Sequence, residues 1–355
     1  MKSSEIAADH KGCTMRTEIA DRDTPAGAVV VCSDATWAWQ SAFVLARSIA
    51  LDPDGRLDHH AYLIGETSDE LLAAFPKRVT LHLLSEYPKE FNFKQTTHVP
   101  TAAMLRLFAL DQLAGSYRRV IYLDGDIFQA WGSLAAALDL PETGRPLAAV
   151  RDRSHWFDNP RLHQQKTYVA ELHPKIGTEY FNSGMLIVNG RVWSEGAYSH
   201  VALDFFNRFS ERCRYGDQSA LNAAVAGNWD SLSPGWNWQM SKISYPLLSG
   251  RRPRLVHFTG PTKPWNDKLR LFDGRIFEQM KRFLSERGLD HLLVPDRTPD
   301  GFTPGMERRR MRELEPLAGE ALAKRNLIKR FLDAPSHVDI AAGIAGYDIA
   351  AVEAL

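Results

Sequence analysis

The chain has 355 residues, 44% of them hydrophobic, and Lys+Arg balances Asp+Glu at 43 each. That length supports a sizeable core in one or two domains. The neutral balance argues against nucleic acid as the main partner, and three scattered cysteines (Cys13, Cys32 and Cys213) argue against a structural zinc and fit a reducing cytosol.

Residues 1–26 are polar and mixed in charge. They lack the apolar centre of a signal peptide and read as a mobile leader, with the fold starting near Gly27. No run of about 18 apolar residues, the length of a membrane span, occurs anywhere. Ala28–Cys32 is a short apolar run, the pattern of a buried first strand. A helix follows, with Ala42, Leu45, Ala46 and Ile49 as its apolar stripe. Asp52-Pro53-Asp54-Gly55 makes a turn. His60–Ile64 and Val79–Leu84 read as strands, and Pro100-Thr101 opens a helix over Ala102–Leu113. Arg119–Leu123 is a strand rich in β-branched and aromatic residues. Pro146–Val150 is the next strand, and 151–179 is a long polar loop. Met185–Val188 is a strand, and the helix after it carries Val201, Phe205 and Phe209 on one face. Asp217 opens a helix through Val225, and Arg254–Phe258 is the last core strand. Ile276, Phe277, Met280, Phe283 and Leu284 mark a helix ended by Gly288. Strands alternating with helices predict an α/β sandwich with a mostly parallel sheet.

The strand Arg119–Leu123 stops at Asp124-Gly125-Asp126. Two carboxylates separated only by glycine can converge on one hard cation. Ligands in α/β sheets bind beyond the carboxyl ends of strands, which is where this tripeptide sits. Three further segments stand at other strand ends. They are Cys32–Trp37, Tyr180–Asn189, and the pair Gly216–Asn222 with His257-Phe258-Thr259-Gly260-Pro261-Thr262-Lys263-Pro264-Trp265.

Taken in order, over roughly residues 28 to 267, these segments resemble glycosyltransferase family 8, which includes glycogenin and bacterial lipopolysaccharide galactosyl- and glucosyltransferases. The resemblance implies a GT-A type nucleotide-diphospho-sugar transferase fold over 27–267, and the change of composition beyond Asp267 reads as a helical C-terminal extension over 268–355. It implies retaining, metal-dependent transfer of a hexose, Glc or Gal, from a UDP-sugar to a glycan or lipid-linked saccharide. Asp124, Asp126 and His257 would hold the divalent cation, and a mixed oxygen and nitrogen set favours manganese. Lys263 and Gly260 would meet the phosphates. Asp34, Thr36 and Trp37 would hold the base, and Arg106 and Gly125, the latter between the carboxylates, would contact the donor. Asn182, Ser183, Asp217 and Gln218 would face the donor sugar, and Asp152 the acceptor. Gln is a poor nucleophile. We therefore favour front-face attack, with the Gln218 amide oxygen stabilising an oxocarbenium-like state; a covalent route through Asp217 is the alternative.

Simpler readings compete at single positions. His257 among Leu, Val and Phe fits a core histidine, Asp217 fits a helix cap, and Trp236 and Trp238 fit either core or a sugar-lining surface. Two other functions share the fold: a catalytically silent nucleotide-sugar binding module, and a self-glucosylating protein like glycogenin. The basic tail Arg308, Arg309, Arg310, Arg312, Lys324, Arg325, Lys329 and Arg330 is interleaved with Leu317, Ala321, Ile328 and Phe331. It fits a helix lying on an anionic membrane, or one packed on the protein. The expected location is cytoplasmic, with peripheral contact at the inner membrane face.

Overall fold

The computed structural model describes residues 13–15, 26–93, 101–153, 168–176, 179–240, 253–267, 272 and 274–293. The basic tail lies outside the described residues, as do 154–167 of the long loop and the leader apart from 13–15 and 26. The strands are β1 (Cys13–Met15), β2 (Gly27–Asp34), β3 (Leu57–Ile64), β4 (Val79–Leu84), β5 (Arg119–Leu123), β6 (Ile127–Gln129), β7 (Leu147–Arg151), β8 (Phe181–Asn189), β9 (Asp230–Ser231), β10 (Trp238–Gln239) and β11 (Leu255–His257). The helices are α1 (Ala38–Ala50), α2 (Asp69–Leu72), α3 (Thr101–Ala114), α4 (Gly190–Glu195), α5 (Tyr198–Phe209), α6 (Asp217–Val225) and α7 (Gly274–Ser285).

An eight-stranded sheet runs β1-β4-β3-β2-β5-β8-β7-β9. β2, β3, β4 and β5 are mutually parallel, while β8 runs antiparallel to both β5 and β7. The central strands are buried on both faces, which is why they read as unbroken apolar runs. Val29 and Val31 of β2 face one hydrophobic cluster, and Val30 and Cys32 face the other. The first cluster takes in α1, α7 and a small second sheet; the second takes in α3, α5 and α6. Helix α7 buries Ile276, Phe277, Met280, Phe283 and Leu284, and Phe283 meets Phe43 of α1 at 5.4 Å. It therefore shares the core of the sheet domain.

Three elements depart from the sequence expectation. Cys13–Met15 pairs antiparallel with Leu84–His82 at the sheet edge, where β4 presents unpaired backbone groups. The strand near Arg254–Phe258 belongs to the second sheet, β10-β11-β6, and not to the main one. Helix α5 buries Ser199, Ala202, Leu203 and Phe206, whereas Val201 is 44% exposed. Its contacts with α3 and α6 select the stripe next to Val201, Phe205 and Phe209. Trp236 and Trp238 are buried, so they are core side chains and line no open surface.

A buried imidazole chain ties β3, β4 and the α3–β5 connection. His60 Nδ1 lies 3.0 Å from His82 Nε2, and His60 Nε2 lies 2.9 Å from the Tyr117 hydroxyl, which donates to Asp58 Oδ2 at 2.8 Å. Tyr62 stacks on His82 at 4.0 Å. Burial pushes His59 and His60 down to about 3 and His82 to about 4. Unfolded imidazoles protonate near 6.5 while these stay neutral, so stability is lost as pH falls from about 6.5 towards 4. In urea titrations, His82→Gln should flatten that slope by about 1.4 kcal/mol per pH unit. An unchanged slope would contradict the burial account.

Candidate active site

The site forms at the carboxyl ends of β2, β5 and β7 and at the N-terminal end of antiparallel β8. At Asp124-Gly125-Asp126 the chain turns tightly from β5 into β6. Asp124 N–H donates to Gly184 O at 2.8 Å, and Ile127 N–H to Asp124 O at 3.2 Å. β6 pairs antiparallel with β11, and Phe258 N–H donates to Asp126 O at 3.2 Å. This pairing carries His257 across a long sequence gap to Asp126. On the other side, register breaks where Ala149 faces Leu186 but Val150 faces Asn182. The resulting bulge in β8 sets Gly184 against Asp124 and Ser183 against Arg106.

Arg106 of α3 lies beneath them, 5% exposed. Its Nη2 donates to Asp124 Oδ1 at 2.9 Å and its Nη1 to Ser183 O at 2.8 Å and Ser183 Oγ at 3.1 Å. Its Nε is 2.8 Å from Asp217 Oδ2, with the N–H directed to Ala103 O. The guanidinium packs 4.4 Å over the Tyr122 ring, and the Tyr122 hydroxyl also donates to Asp124 Oδ1 at 2.8 Å. Burial opposes the charge of Arg106, but Asp124 and Asp217 outweigh it and hold the guanidinium ionised. Arg106 thus spends its donors on the protein. Burial raises Asp217 to about 6 against the pull of Arg106, with Asp124 adding to the rise.

These bonds commit one oxygen of Asp124 and leave Oδ2, which is 3.7 Å from His257 Nε2. Asp126 Oδ1 is 3.1 Å from the same nitrogen and is buried without a hydrogen-bond partner. Lys263 Nζ donates to the other oxygen, Asp126 Oδ2, and to Phe258 O. Burial would raise the Asp126 pKa, but His257 and Lys263 outweigh it and hold it well below the usual carboxylate range. Asp124, Asp126 and His257 offer ligand atoms within 4.8 Å of one another, the one such trio among the described residues. Two carboxylate oxygens and an imidazole nitrogen suit a divalent cation with positions left for phosphate oxygens. The space fits too: a Cβ on Gly184 would stand 2.1 Å from His257 Cε1 and 2.8 Å from Asp124 Oδ2.

Around this trio the structure gathers the other residues expected from the sequence. Asp34 caps the turn Ala35–Trp37, accepting from Trp37 N–H at 3.2 Å. Thr36 and Trp37 are exposed, and Trp37 meets Trp265 at 6.5 Å, joining the β2 end to the Lys263-Pro264-Trp265 segment. Gly125 packs against Gln40, while a Cβ on Gly260 would meet no protein atom. Gln218 Oε1 accepts from Ser183 N–H and Asn182 Nδ2, both at 3.1 Å, and its Nε2 donates to Asp152 Oδ2 at 3.3 Å. Asp217 opens α6 beneath them, buried and paired.

Sequence reasoning missed Tyr122, Gly184 and Asn237 as functional residues. Asn237 is fully buried between two core tryptophans and bonds both His257 and Asn182. An amide inside Trp236-Asn237-Trp238 was the available signal, because a buried amide must find partners.

Comparison with known proteins matches this arrangement. The profile described as Glycosyl transferase family 8 matches residues 66–269. General stress protein A of Bacillus subtilis (strain 168) is 29% identical over 187 residues, covering 48% of this chain and 62% of that protein. Lipopolysaccharide 1,2-glucosyltransferase of Escherichia coli (strain K12) is 27% identical over 180 residues, covering 48% of this chain and 51% of that protein. The chain thus spans less than two thirds of either relative. The solved structure of the galactosyltransferase LgtC in complex with donor and acceptor sugar analogs superposes with a TM-score of 0.56 at 20% identity, over 80% of this chain and 99% of that one. The fold is therefore of the GT-A type, and the chain belongs to glycosyl transferase family 8.

Proposed function

We propose that this glycosyltransferase transfers a hexose, Glc or Gal, from a UDP-sugar to a glycan or lipid-linked saccharide, with retention and with manganese as the preferred cation. The observation that carries this reading is the convergence of Asp124 Oδ2, Asp126 Oδ1 and His257 Nε2 beside Gln218 and Asn182. The three ligands would hold the cation, which supplies Lewis-acid stabilisation of the departing diphosphate. Lys263 adds positive charge beside them, and the open face of Gly260 leaves room for phosphate. Asp34, Thr36 and Trp37 form the base side, where an aspartate accepts an imide N–H and an indole offers a stacking face. The names of the Escherichia coli 1,2-glucosyltransferase and the Salmonella typhimurium lipopolysaccharide 1,3-galactosyltransferase support a hexose donor and a lipopolysaccharide-type acceptor. Such an acceptor fits work at the cytoplasmic face of a membrane; no described helix is long and apolar enough to cross one.

Front-face attack fits the side chains best. The Gln218 oxygen already accepts two hydrogen bonds, which lowers its nucleophilicity while keeping its negative end fixed. Asp217 is buried and paired with Arg106. With neither poised to attack carbon, the acceptor hydroxyl forms the new bond on the face from which the diphosphate leaves, and the diphosphate takes its proton. Asp152, linked to Gln218 Nε2, orients the acceptor side.

UDP release from UDP-Glc or UDP-Gal should require Mn²⁺ and stop with EDTA. In Asp124→Ala and His257→Ala it should fall at least about a hundredfold, the scale of the several kcal/mol that such stabilisation supplies. Full activity in either variant would refute the ligand assignment, and absence of UDP release from any UDP-sugar by the wild type would favour a silent binding module. Gly184→Ala places a methyl group among the ligands, and its Mn²⁺ affinity, read by electron paramagnetic resonance, should drop at least about tenfold. Unchanged affinity would show that the glycine clears no ligand.

A further inference from the structure

The amides at the site form one chain whose polarity is fixed by backbone donors. Gly184 N–H lies 3.1 Å from Asn182 Oδ1, and Ser183 N–H lies 3.1 Å from Gln218 Oε1. A backbone N–H can only donate, so both oxygens are identified without ambiguity. Asn182 Oδ1 therefore also accepts from the amide nitrogen of Asn237, at 2.8 Å. That leaves Asn237 Oδ1, an acceptor only, 3.0 Å from His257 Nδ1. The imidazole must then carry a proton on Nδ1. Its Nε2 is the nitrogen directed at Asp124 Oδ2 and Asp126 Oδ1.

We propose that Asn237 is a positioning residue. It imposes the Nδ1–H tautomer on His257 and couples that ligand, through Asn182, to the orientation of Gln218. The inference rests on the cation-binding reading above and goes beyond it, because it names what makes His257 a ligand and not a buried core imidazole. Its logic is chemical. With Nδ1 held as a donor, Nε2 is the nitrogen left to meet the two carboxylates, through a proton when no cation is bound and through its lone pair when one is. Asn237 holds Nδ1 this way from a fully buried position, between Trp236 and Trp238, where its amide cannot turn over without facing its nitrogen to Nδ1–H and its oxygen to Asn182 Oδ1. The same chain ends on Gln218 Nε2 and Asp152, so the ligand side and the sugar side share one hydrogen-bond direction.

Two variants separate the functions of the amide. Asn237→Asp keeps an acceptor for His257 but loses the donor to Asn182. Asn237→Leu loses both. Isothermal titration with Mn²⁺ should show affinity within about threefold of wild type for Asn237→Asp but about 10–100-fold weaker binding for Asn237→Leu. UDP release by Asn237→Asp at saturating Mn²⁺ should fall in kcat more than in KM. Because Asn237→Leu can fail to fold, the tautomer is read directly in the wild type: long-range ¹H–¹⁵N spectra of the Mg²⁺-loaded protein should show the His257 proton on Nδ1. A proton on Nε2 overturns the proposal, as does folded Asn237→Leu binding Mn²⁺ like wild type. Failure of the wild type to bind either cation would instead refute the cation reading itself.

Discussion

The site depends on one buried guanidinium. Arg106 bridges Asp124, Asp217 and Ser183, which come from the end of β5, the start of α6 and the bulge of β8. A charge at this depth is tolerated only with partners, and deleting one partner of such a pair costs about 3–5 kcal/mol. The interaction also has a direction. By binding Asp124 Oδ1 from below, together with Tyr122, Arg106 turns Oδ2 towards His257. Its influence on the chemistry runs through that oxygen and through the strand position of Ser183.

The second constraint is topological. Asp126 and His257 meet because β6, which leaves the Asp-Gly-Asp turn, pairs antiparallel with β11. Asn237 precedes β10, which pairs parallel with β11 on its other side. The small sheet thus brings together Asp126, His257 and the amide bonded to His257. The main sheet contributes Asp34, Asp124 and Asp152 at the ends of strands that run the same way, and β8 supplies Asn182 to Gly184 because it runs in reverse.

Much of this was legible in the sequence because strand ends announce themselves. The apolar run at Arg119–Leu123 stops at Asp124-Gly125-Asp126, and those two carboxylates are the ones that meet His257. The stripe of α7 was legible for a similar reason, since its period matches a single buried face. What stayed hidden was relational. Arg106 carried no sign that it would lie beneath the carboxylates, since a helix stripe does not reveal which neighbour an arginine will meet. The β8 bulge depends on register with β7, which no local pattern encodes. Helix α5 offered two adjacent apolar stripes, and contacts with α3 and α6 chose between them.

The central claim is that one carboxylate oxygen of Asp124 is spent on Arg106 so that the other can serve a cation. Crystals soaked in Mn²⁺ and measured at the manganese edge test it most directly. The account predicts an anomalous peak bounded by Asp124 Oδ2, Asp126 Oδ1 and His257 Nε2, with Asp124 Oδ1 still on Arg106. A peak on Asp124 Oδ1, or one that excludes His257, would contradict it.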